Sequence, residues 1–407
     1  MLKFPKNLAP LENQHKSNNA GKLIFPAGFY WGTATSSYQV EGGIKNDWSE
    51  AGKKPRTSGA VRGKYDAGRA CDHYNKFEED FDLAKKMNNN AHRFSIEWAR
   101  IEPEEGKFSQ KEIEHYRKVI LALKERNLEP FVTLYHWTLP VWFAKKGGWE
   151  KKKNIRYFLQ YVEFVVKNFP DINFWIIFNE PYIYSSFCYL EGKHPPFKKN
   201  IFKAWKVLHN LIRVQRQTYR IIHKISPNNQ LGITIFHIFF HGILKPVKYY
   251  RNFYFLKKVK NYQDFIGVSY YHSHSLLEIL NLPPRERTQM GWAIHPKGIY
   301  YVLKDLKKYN KPIYITENGI ATTDDKKRIK FIIDHLKWIH KAIEEEVDVR
   351  GYFHWAFMDN FEWAWSFKPR FGLIEIDYKT LKRIPRPSSK VYAEICKSFT
   401  LPEEGEG

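Results

Sequence analysis

Residues 173–181 read Asn-Phe-Trp-Ile-Ile-Phe-Asn-Glu-Pro. A short run of aromatic and β-branched residues of this kind predicts a buried β-strand. The run ends in a carboxylate, Glu180, and a long helical pattern follows over residues 201–225. A carboxylate at the end of a buried strand is costly to desolvate unless it has a partner or a chemical task. The stretch therefore predicts a strand that carries either an ion-paired or a functional residue to its end.

The same unit, a short apolar run followed by an amphipathic helical pattern, recurs along the whole chain. The predicted strands are Phe29–Thr35, Ala91–Trp98, Pro130–His136, Asn173–Phe178, Leu231–Phe236, Asp264–Tyr271, Pro312–Thr316 and Arg350–Ala356. The predicted helices are Glu78–Met87, Ile113–Arg126, Ile155–Phe169, Ile201–Ile225, Lys297–Tyr309, Arg328–Glu345 and Ser388–Phe399. Eight strands that alternate with helices predict an α/β fold, the (β/α)8 TIM barrel. An open doubly wound sheet is disfavoured, because its usual glycine-rich first turn is absent after the first strand.

The predicted domain organisation is a single barrel over residues 24–400, with a polar N-terminal arm over 1–23 and a C-terminal tail over 401–407. One crossover is unusually short, since residues 241–263 offer only 23 positions for two loops and a helix. A β-α-β crossover needs at least about ten to twelve residues including its helix. We therefore expect strand 5 or helix 5 to be truncated and the barrel wall beside it to be open.

The composition excludes several classes of protein. The chain of 407 residues has 66 Lys and Arg against 43 Asp and Glu, a net charge of +23. The basic residues are scattered in short clusters rather than concentrated on one helix or arm, which favours a solvated surface over a specific nucleic-acid site. The longest apolar runs reach about eight residues, far short of a membrane-spanning helix.

The cysteine and histidine patterns give no indication of a metal or a cofactor. Cys71, Cys188 and Cys396 lie far apart, with no CxxC spacing, so neither a disulfide framework nor a cysteine-based zinc site is predicted. Two histidine pairs, 237/241 and 272/274, lack a carboxylate at a recognised metal-ligand spacing. From these patterns we expect a protein that needs no cofactor. The N-terminal residues lack the apolar core of a signal peptide, so we also expect a cytoplasmic protein.

Polar side chains at the predicted strand ends indicate the chemistry, because the C-terminal ends of the strands carry the active site in this fold. Glu180 and Glu317 both end hydrophobic strands directly, and His136, Asn179 and several tryptophans lie at other strand ends. Either glutamate alone could be a structural, salt-bridged residue. Two opposed carboxylates framed by indole rings suit glycoside hydrolysis, in which one acts as acid and the other attacks carbon or activates water.

Six motifs in order resemble glycoside hydrolase family 1, which includes β-glucosidases, β-galactosidases and 6-phospho-β-glycosidases. The motifs are FPAGFYWGTATSSYQVEG (25–42), HRFSIEWARIEP (92–103), YHWTLP (135–140), FNEP (178–181), YITENG (314–319) and DNFEWAWSFKPRFG (359–372). The resemblance covers residues from about 24 to about 399. It implies a retaining exo-β-glycosidase that removes a terminal nonreducing β-D-glucosyl or β-D-galactosyl residue from short glycosides by double displacement.

The resemblance also implies a role for each matching position. Glu180 matches the general acid/base, Glu317 the nucleophile, and Arg93 and Tyr271 the two residues that support the nucleophile. Asn179 matches the donor to the sugar 2-hydroxyl group. The remaining matches form the sugar-binding wall, in which Trp355 is the platform beneath the sugar and Phe371 lies just beyond it. The full set is Gln39, His136, Trp137, Trp355, Glu362, Trp363 and Phe371.

Two departures from the family pattern are visible. Ser269 stands where the family commonly has an asparagine, and the chain is short between strands 5 and 6 and after strand 6.

A 6-phospho-β-glycosidase is the first alternative function, because Ser366 and Lys368 match part of a phosphate-binding set. Glu362 speaks against it, since a carboxylate repels a 6-phosphate group. A catalytically weak carbohydrate-binding barrel is the second alternative, and the small-carbohydrate partner is common to all three readings. The oligomeric state stays open.

Overall fold

The computed structural model describes residues 23–53, 65–274 and 286–401. Eight parallel strands pair in chain order and close into a barrel, with the last strand hydrogen-bonded to the first. The strands are β1 (Tyr30–Ala34), β2 (Ala91–Ser95), β3 (Glu129–Thr133), β4 (Phe174–Asn179), β5 (Gln230–Phe240), β6 (Phe265–His274), β7 (Ile313–Asn318) and β8 (Val349–Trp355). The predicted TIM barrel is confirmed.

One principal helix follows each strand. These are α1 (His73–Lys86), α2 (Gln110–Glu125), α3 (Ile155–Asn168), α4 (Ile201–Ile225), α5 (Tyr254–Val259), α6 (Lys297–Leu306), α7 (Asp325–Glu344) and α8 (Pro387–Ser398). Polar caps explain several starting points: Ser109, Asn200 and Asp324 each accept a hydrogen bond from the backbone N–H three residues on. Shorter helices decorate the loops at Ser37–Val40, Asp47–Lys53, Trp98–Ile101, Val141–Lys145 and Pro181–Ser185, and β9 (Ile374–Ile376) pairs with β10 (Arg383–Pro385).

Aromatic rings fill one end of the barrel interior. The cluster contains Tyr30, Phe131, Phe174, Phe265, Tyr314 and Phe353. Glycines make room for these rings: a Cβ atom at Gly232 would lie 2.2 Å from the Phe265 ring, and one at Gly32 would lie 2.6 Å from the Phe353 ring. The barrel is therefore a packed core at this end, and any ligand site must lie at the other end.

The two ends of the described chain meet on the outside of the barrel. Ile24 pairs with Thr400 as an isolated antiparallel bridge, and the backbone N–H of Phe25 donates to the carbonyl of Phe399 over 2.8 Å. The predicted arm over residues 1–23 and the predicted tail over 401–407 lie almost entirely outside the described residues. The division of the chain into arm, barrel and tail therefore stays a prediction.

The predicted truncation of strand 5 or helix 5 is confirmed for the helix, whereas the prediction of an open wall is wrong because the barrel is closed. β5 has 11 residues and is the longest strand of the barrel, and it pairs with β4 on one side and with β6 on the other. The shortening falls on the helix instead, because α5 has only six residues. Residues between β5 and α5 form two single turns, Gly242–Leu244 and Tyr249–Phe253. The barrel is therefore closed by the pairing of its strands, although the helix that follows β5 is short.

We expect the backbone amides of residues 230–234 to exchange with solvent as slowly as those of β4, because this part of β5 pairs with β4 and, from Gly232 on, also with β6. Hydrogen–deuterium exchange followed by mass spectrometry checks this, and within residues 230–259 the fastest exchange should fall in residues 241–251. Fast exchange throughout residues 230–240 would contradict a closed barrel wall at this position.

Candidate active site

A cavity of about 600 Å³ opens at the C-terminal ends of the strands. Its walls include eleven of the twelve residues that the sequence singles out: Gln39, His136, Trp137, Asn179, Glu180, Tyr271, Glu317, Trp355, Glu362, Trp363 and Phe371. The twelfth, Arg93, is completely buried behind Glu317. The structure therefore brings together residues separated by more than 300 positions in the chain.

Glu317 is fixed by two partners. One carboxylate oxygen, Oε1, accepts a hydrogen bond from Arg93 Nη1 over 2.6 Å, and the other, Oε2, accepts from the Tyr271 hydroxyl over 2.8 Å. Arg93 in turn donates from Nη1 to the carbonyl of Thr316 and from Nε to the hydroxyl of Thr133. Charge-assisted bonds to both oxygens stabilise the carboxylate form and set the orientation of the group.

Asn179 is oriented by the same arginine. Its Oδ1 accepts from Arg93 Nη2 over 2.7 Å, and its Nδ2 donates to His136 Nε2 over 3.1 Å. Burial and the nearby charge of Arg93 hold the pKa of His136 well below its usual range, so the ring is neutral and can accept this bond. The indole N–H of Trp137 donates to the Asn179 carbonyl over 3.0 Å. The amide therefore has one defined orientation, with its second N–H left for a ligand.

Glu180 occupies a contrasting environment. Its Oε1 atom is buried and has no hydrogen-bond partner among the described residues. Burial raises the pKa of Glu180 well above its usual range, and the negative charge of Glu317 raises it further. The hydroxyl of Ser269, where the family commonly has an asparagine, lies close enough to lower this pKa partly. The environment of Glu180 therefore favours the protonated form of this carboxyl group, beside a carboxylate that accepts a hydrogen bond from a guanidinium.

The backbone around the two glutamates departs from regular strand geometry. Glu180 has φ +47°, a left-handed conformation that costs a non-glycine residue about 1–3 kcal/mol. The pairing register shifts between β4 and β5 next to Asn179, and again between β6 and β7 next to Glu317. Irregularities of this kind turn side chains toward a site, and here they turn the strand ends into the cavity.

Glu362 and Gln39 form the polar wall on the other side of Glu317. Gln39 Nε2 lies 3.4 Å from Glu362 Oε2 and also donates to the carbonyl of Phe361 over 2.9 Å. The Ser36 hydroxyl donates to Gln39 Oε1, which fixes the amide. Burial, and then the charge of Glu317, raises the pKa of Glu362 to about 8. The carboxyl group therefore holds its proton more tightly than an ordinary glutamate does.

Aromatic rings enclose the cavity. The rings of Trp137 and Trp363 lie 4.9 Å apart, and His136 stacks on both Trp355 and Trp363 at about 6 Å. Gly319 is required beside Trp355, because a Cβ atom there would lie 1.6 Å from the Trp355 carbonyl oxygen. The glycine of the ITENG motif thus lets the end of β7 approach the end of β8.

Several wall residues carry no motif and were missed by the sequence analysis. Arg251, His272 and Trp292 line the cavity. Arg251 and Trp292 lie outside the motifs, and no periodicity could place them at the site. Conversely, Glu41 follows the first predicted strand and Glu97 lies near the end of the second, but neither residue lines the cavity. Glu41 pairs with Arg100, and Glu97 accepts bonds from neighbouring hydroxyl groups.

No cluster of three or more potential metal ligands occurs within residues 23–53, 65–274 and 286–401. Within the same ranges no helix is long and apolar enough to cross a membrane. Neither observation bears on the residues outside these ranges.

Comparison with protein-family models agrees with the paired carboxyl groups and aromatic walls of the cavity, which suit glycoside hydrolysis. The model of glycosyl hydrolase family 1 matches residues 22–240 and 252–400, and so covers nearly the whole chain. The chain belongs to glycosyl hydrolase family 1. It is therefore an O-glycosyl hydrolase, a β-glycosidase. The matched range leaves out residues 241–251, the segment between β5 and α5.

Similar proteins support the assignment over their full lengths. A 1,4-β-D-glucan glucohydrolase of Thermotoga neapolitana is 33% identical over 93% of this chain and 99% of its own. A β-glycosidase from Pyrococcus horikoshii has a structure that superposes with a TM-score of 0.87, at 38% identity, and covers 94% of this chain and 97% of its own. The alignment with the glucohydrolase spans 446 positions against the 407 residues of this chain, which confirms that the chain is short for its relatives.

We expect the Arg93→Met substitution to lower the free energy of unfolding by about 3–5 kcal/mol, because it leaves Glu317 buried without its cation. Urea unfolding at neutral pH measures this. The control is Lys167→Met, which removes an exposed ion pair with Glu163 and should change stability by less than about 1 kcal/mol. Equal effects of the two substitutions would show that the buried pair does not stabilise the barrel.

Proposed function

We propose that the protein is a retaining exo-β-glycosidase that removes a terminal nonreducing β-D-glucosyl or β-D-galactosyl residue from short glycosides by double displacement. The observation that carries the proposal is the contrast between two glutamates on one cavity wall. Both oxygens of Glu317 accept hydrogen bonds, one of them from a guanidinium, whereas Glu180 is buried and has a raised pKa. Two carboxyl groups in such contrasting environments suit the nucleophile and acid of this reaction.

Glu317 is the proposed nucleophile. Its ion pair with Arg93 and its bond from Tyr271 keep it ionised and oriented. Attack on the anomeric carbon forms a glycosyl-enzyme ester and expels the aglycone oxygen. The negative charge of Glu317 disappears in that ester. The two carboxyl groups should lie about 5–5.5 Å apart, the separation that the retaining mechanism needs.

Glu180 is the proposed acid/base. In the first step it donates its proton to the departing oxygen, which requires the protonated form. Once the ester has formed, the charge that raised its pKa is gone, so Glu180 releases a proton more easily and can activate the incoming water. The rate of the first step therefore falls as the pH rises through the pKa of Glu180 in the free enzyme.

The remaining site residues bind the sugar in this proposal. Asn179 has an N–H directed by its partners toward the position of the sugar 2-hydroxyl group. Gln39, His136 and Glu362 supply further donors and acceptors for hydroxyl groups. Tryptophan rings contact the C–H faces of the sugar, with Trp355 as the platform, and the rest of this wall is formed by Trp137, Trp363 and Phe371.

A 6-phospho-β-glycosidase is the second candidate function. A 6-phospho-β-galactosidase of Staphylococcus epidermidis is 29% identical over 92% of this chain, so the family likeness alone does not exclude it. Ser366 and Lys368 are not among the cavity-lining residues, and Lys368 is exposed. The raised pKa of Glu362, about 8, favours its neutral form and so weakens its repulsion of phosphate. The absence of Lys368 from the wall is therefore a stronger argument for an unphosphorylated sugar than the charge of Glu362.

A catalytically weak binding barrel is disfavoured, because the nucleophile pair and the buried acid are both intact. Two other expectations stay predictions: a cytoplasmic location, based on the N-terminal residues, and the lack of a specific nucleic-acid partner, based on the scattered charge. The oligomeric state stays open.

Replacing Glu180 by Ala should reduce kcat/KM for alkyl β-glucosides by a hundredfold or more, and for 2,4-dinitrophenyl β-glucoside far less. A good leaving group needs no proton, whereas general acid catalysis contributes about 10²–10⁴-fold for a poor one. The basic limb of the pH profile should also disappear from the variant. Replacing Glu317 by Ala should abolish hydrolysis of both substrates.

The matched control is Glu191→Gln, which changes another carboxyl group on the cavity wall, one that pairs with Lys193. It should affect alkyl and aryl glucosides to the same degree and keep the basic limb. Equal losses on both substrates in the Glu180 variant would remove Glu180 from the acid role.

The choice of sugar is tested with 4-nitrophenyl β-glucoside and its 6-phosphate. We expect a higher kcat/KM for the unphosphorylated substrate, and a loss of at least tenfold on it in the Glu362→Ala variant, because the hydroxyl-binding wall is removed. Lys368→Ala should change neither substrate. A preference for the 6-phosphate that Lys368→Ala removes would establish the phospho-glycosidase instead.

A further inference from the structure

The segment that the family model leaves unmatched, residues 241–251, ends in Arg251. The segment is anchored where it meets the barrel. Asn252 Oδ1 accepts from the backbone N–H of Ile238 over 3.3 Å, and Asn252 Nδ2 donates to the Ile238 carbonyl over 2.8 Å. These two bonds fasten the turn at Tyr249–Phe253 to the end of β5. Arg251 is therefore held next to the cavity by a segment that the family model does not match.

The guanidinium group of Arg251 lies between two aromatic rings. Its Cζ atom is 4.4 Å from the centre of the Tyr182 ring and 5.5 Å from the centre of the Phe236 ring. One nitrogen, Nη1, lies 3.5 Å from the Phe236 carbonyl oxygen. Stacking of this kind fixes the plane of a guanidinium but leaves most of its N–H donors unused. Arg251 also lines the cavity, so these donors have access to a bound ligand.

No described carboxylate forms an ion pair with Arg251, although the charges of Glu180 and Glu191 act on it. Glu191, on the same wall, pairs instead with Lys193 at 2.5 Å and accepts from the Ser186 hydroxyl. Burial raises the pKa of Glu180 well above its usual range, which favours its neutral form. Burial lowers the pKa of Arg251 to about 10, so the group is still charged at neutral pH. A charged guanidinium at a cavity wall without an ion-pair partner is a site for an anion.

Arg251 lies on the aglycone side of the cavity. Its guanidinium stacks on Tyr182, two residues after Glu180, the proposed donor to the leaving oxygen, and on Phe236 of β5. The neighbouring wall includes the apolar residues Ile238, Phe240, Val247, Met290 and Trp292. The site therefore combines a hydrophobic surface with a cation that has no ion-pair partner among the described residues.

We propose that Arg251 binds an anionic oxygen group, a carboxylate or a phosphate, on an otherwise apolar aglycone of the β-glycoside substrate. The inference rests on the proposed function, and it deepens that function by naming the class of leaving group. A planar guanidinium can bind two oxygens of such a group at once, while the apolar wall contacts the body of the aglycone. Neutral aglycones bind without this contact and are hydrolysed less efficiently.

Three matched substrates test the proposal: the β-D-glucosides of 3-carbamoylphenol, 3-hydroxybenzoate and 3-hydroxyphenylphosphonate. The kcat/KM ratio of each anionic glucoside to the neutral amide is measured for the wild type and for the Arg251→Gln, Arg251→Lys and Arg216→Gln variants. Because the same substrates are compared across the variants, differences in leaving-group reactivity cancel. Arg216 donates to the Lys258 carbonyl on the outer surface, so its replacement controls for the net positive charge of the chain.

We expect Arg251→Gln to lower at least one anion-to-amide ratio by about tenfold, the size of one charge-assisted bond. Arg251→Lys should keep part of the preference, and Arg216→Gln should keep all of it. The ratio that falls further identifies carboxylate or phosphate as the preferred group.

Two results would overturn the inference while leaving the β-glycosidase intact. Unchanged ratios in the Arg251→Gln variant would show that the guanidinium does not contact the aglycone. Equal losses on all three glucosides would show that Arg251 acts through Glu180 or through the fold of the segment. If the wild type hydrolyses none of the three glucosides, the proposed function fails and this inference fails with it.

Discussion

The ion pair between Arg93 and Glu317 is the interaction on which the rest of the site depends. Both side chains lie at the centre of the barrel mouth, and Arg93 has no solvent exposure at all. A buried guanidinium is tolerated only when its donors are used, and here they reach Glu317, Asn179, Thr133 and the backbone of residue 316. One cation on β2 therefore organises the ends of β3, β4 and β7, and the sugar-binding amide is oriented by the same group as the proposed nucleophile.

The two glutamates differ because the barrel gives them different neighbours, not because their local sequences differ. Glu317 receives a cation from β2 and a hydroxyl from β6, whereas Glu180 at the end of β4 faces apolar surface and the charge of Glu317 itself. The charge on one carboxylate thus helps to keep the proton on the other. This coupling links the two steps of the proposed mechanism, since neutralising Glu317 as an ester changes the acidity of Glu180 without any movement of the chain.

The short crossover after β5 shows how the fold accommodates missing residues. Barrel closure requires paired strand edges rather than a long helix, and β5 pairs with β4 over Gln230–Thr234 and with β6 over Gly232–Phe240. The loss is taken up by α5 and by the loops around it, next to the compact turn that carries Arg251. The part of the fold that differs from the family pattern therefore lies beside the part of the cavity that the proposal assigns to the leaving group. Variation in loops over an invariant barrel is the usual way in which this fold acquires different substrates.

The sequence by itself determined the fold class and the order of the strands, and it indicated twelve candidate site residues, because alternating apolar runs and strand-end motifs are local features of the chain. Strands such as Phe174–Asn179 differ from the predicted range by only one residue at each end. The sequence could not determine whether the strand or the helix of the short crossover is reduced, since the length of β5 is set by pairing with β4 and β6 rather than by its own residues. Nor could it find the position of Arg251 or the raised pKa of Glu362. Those properties depend on which rings and charges surround a side chain, and residues distant in the chain become neighbours only when the barrel closes.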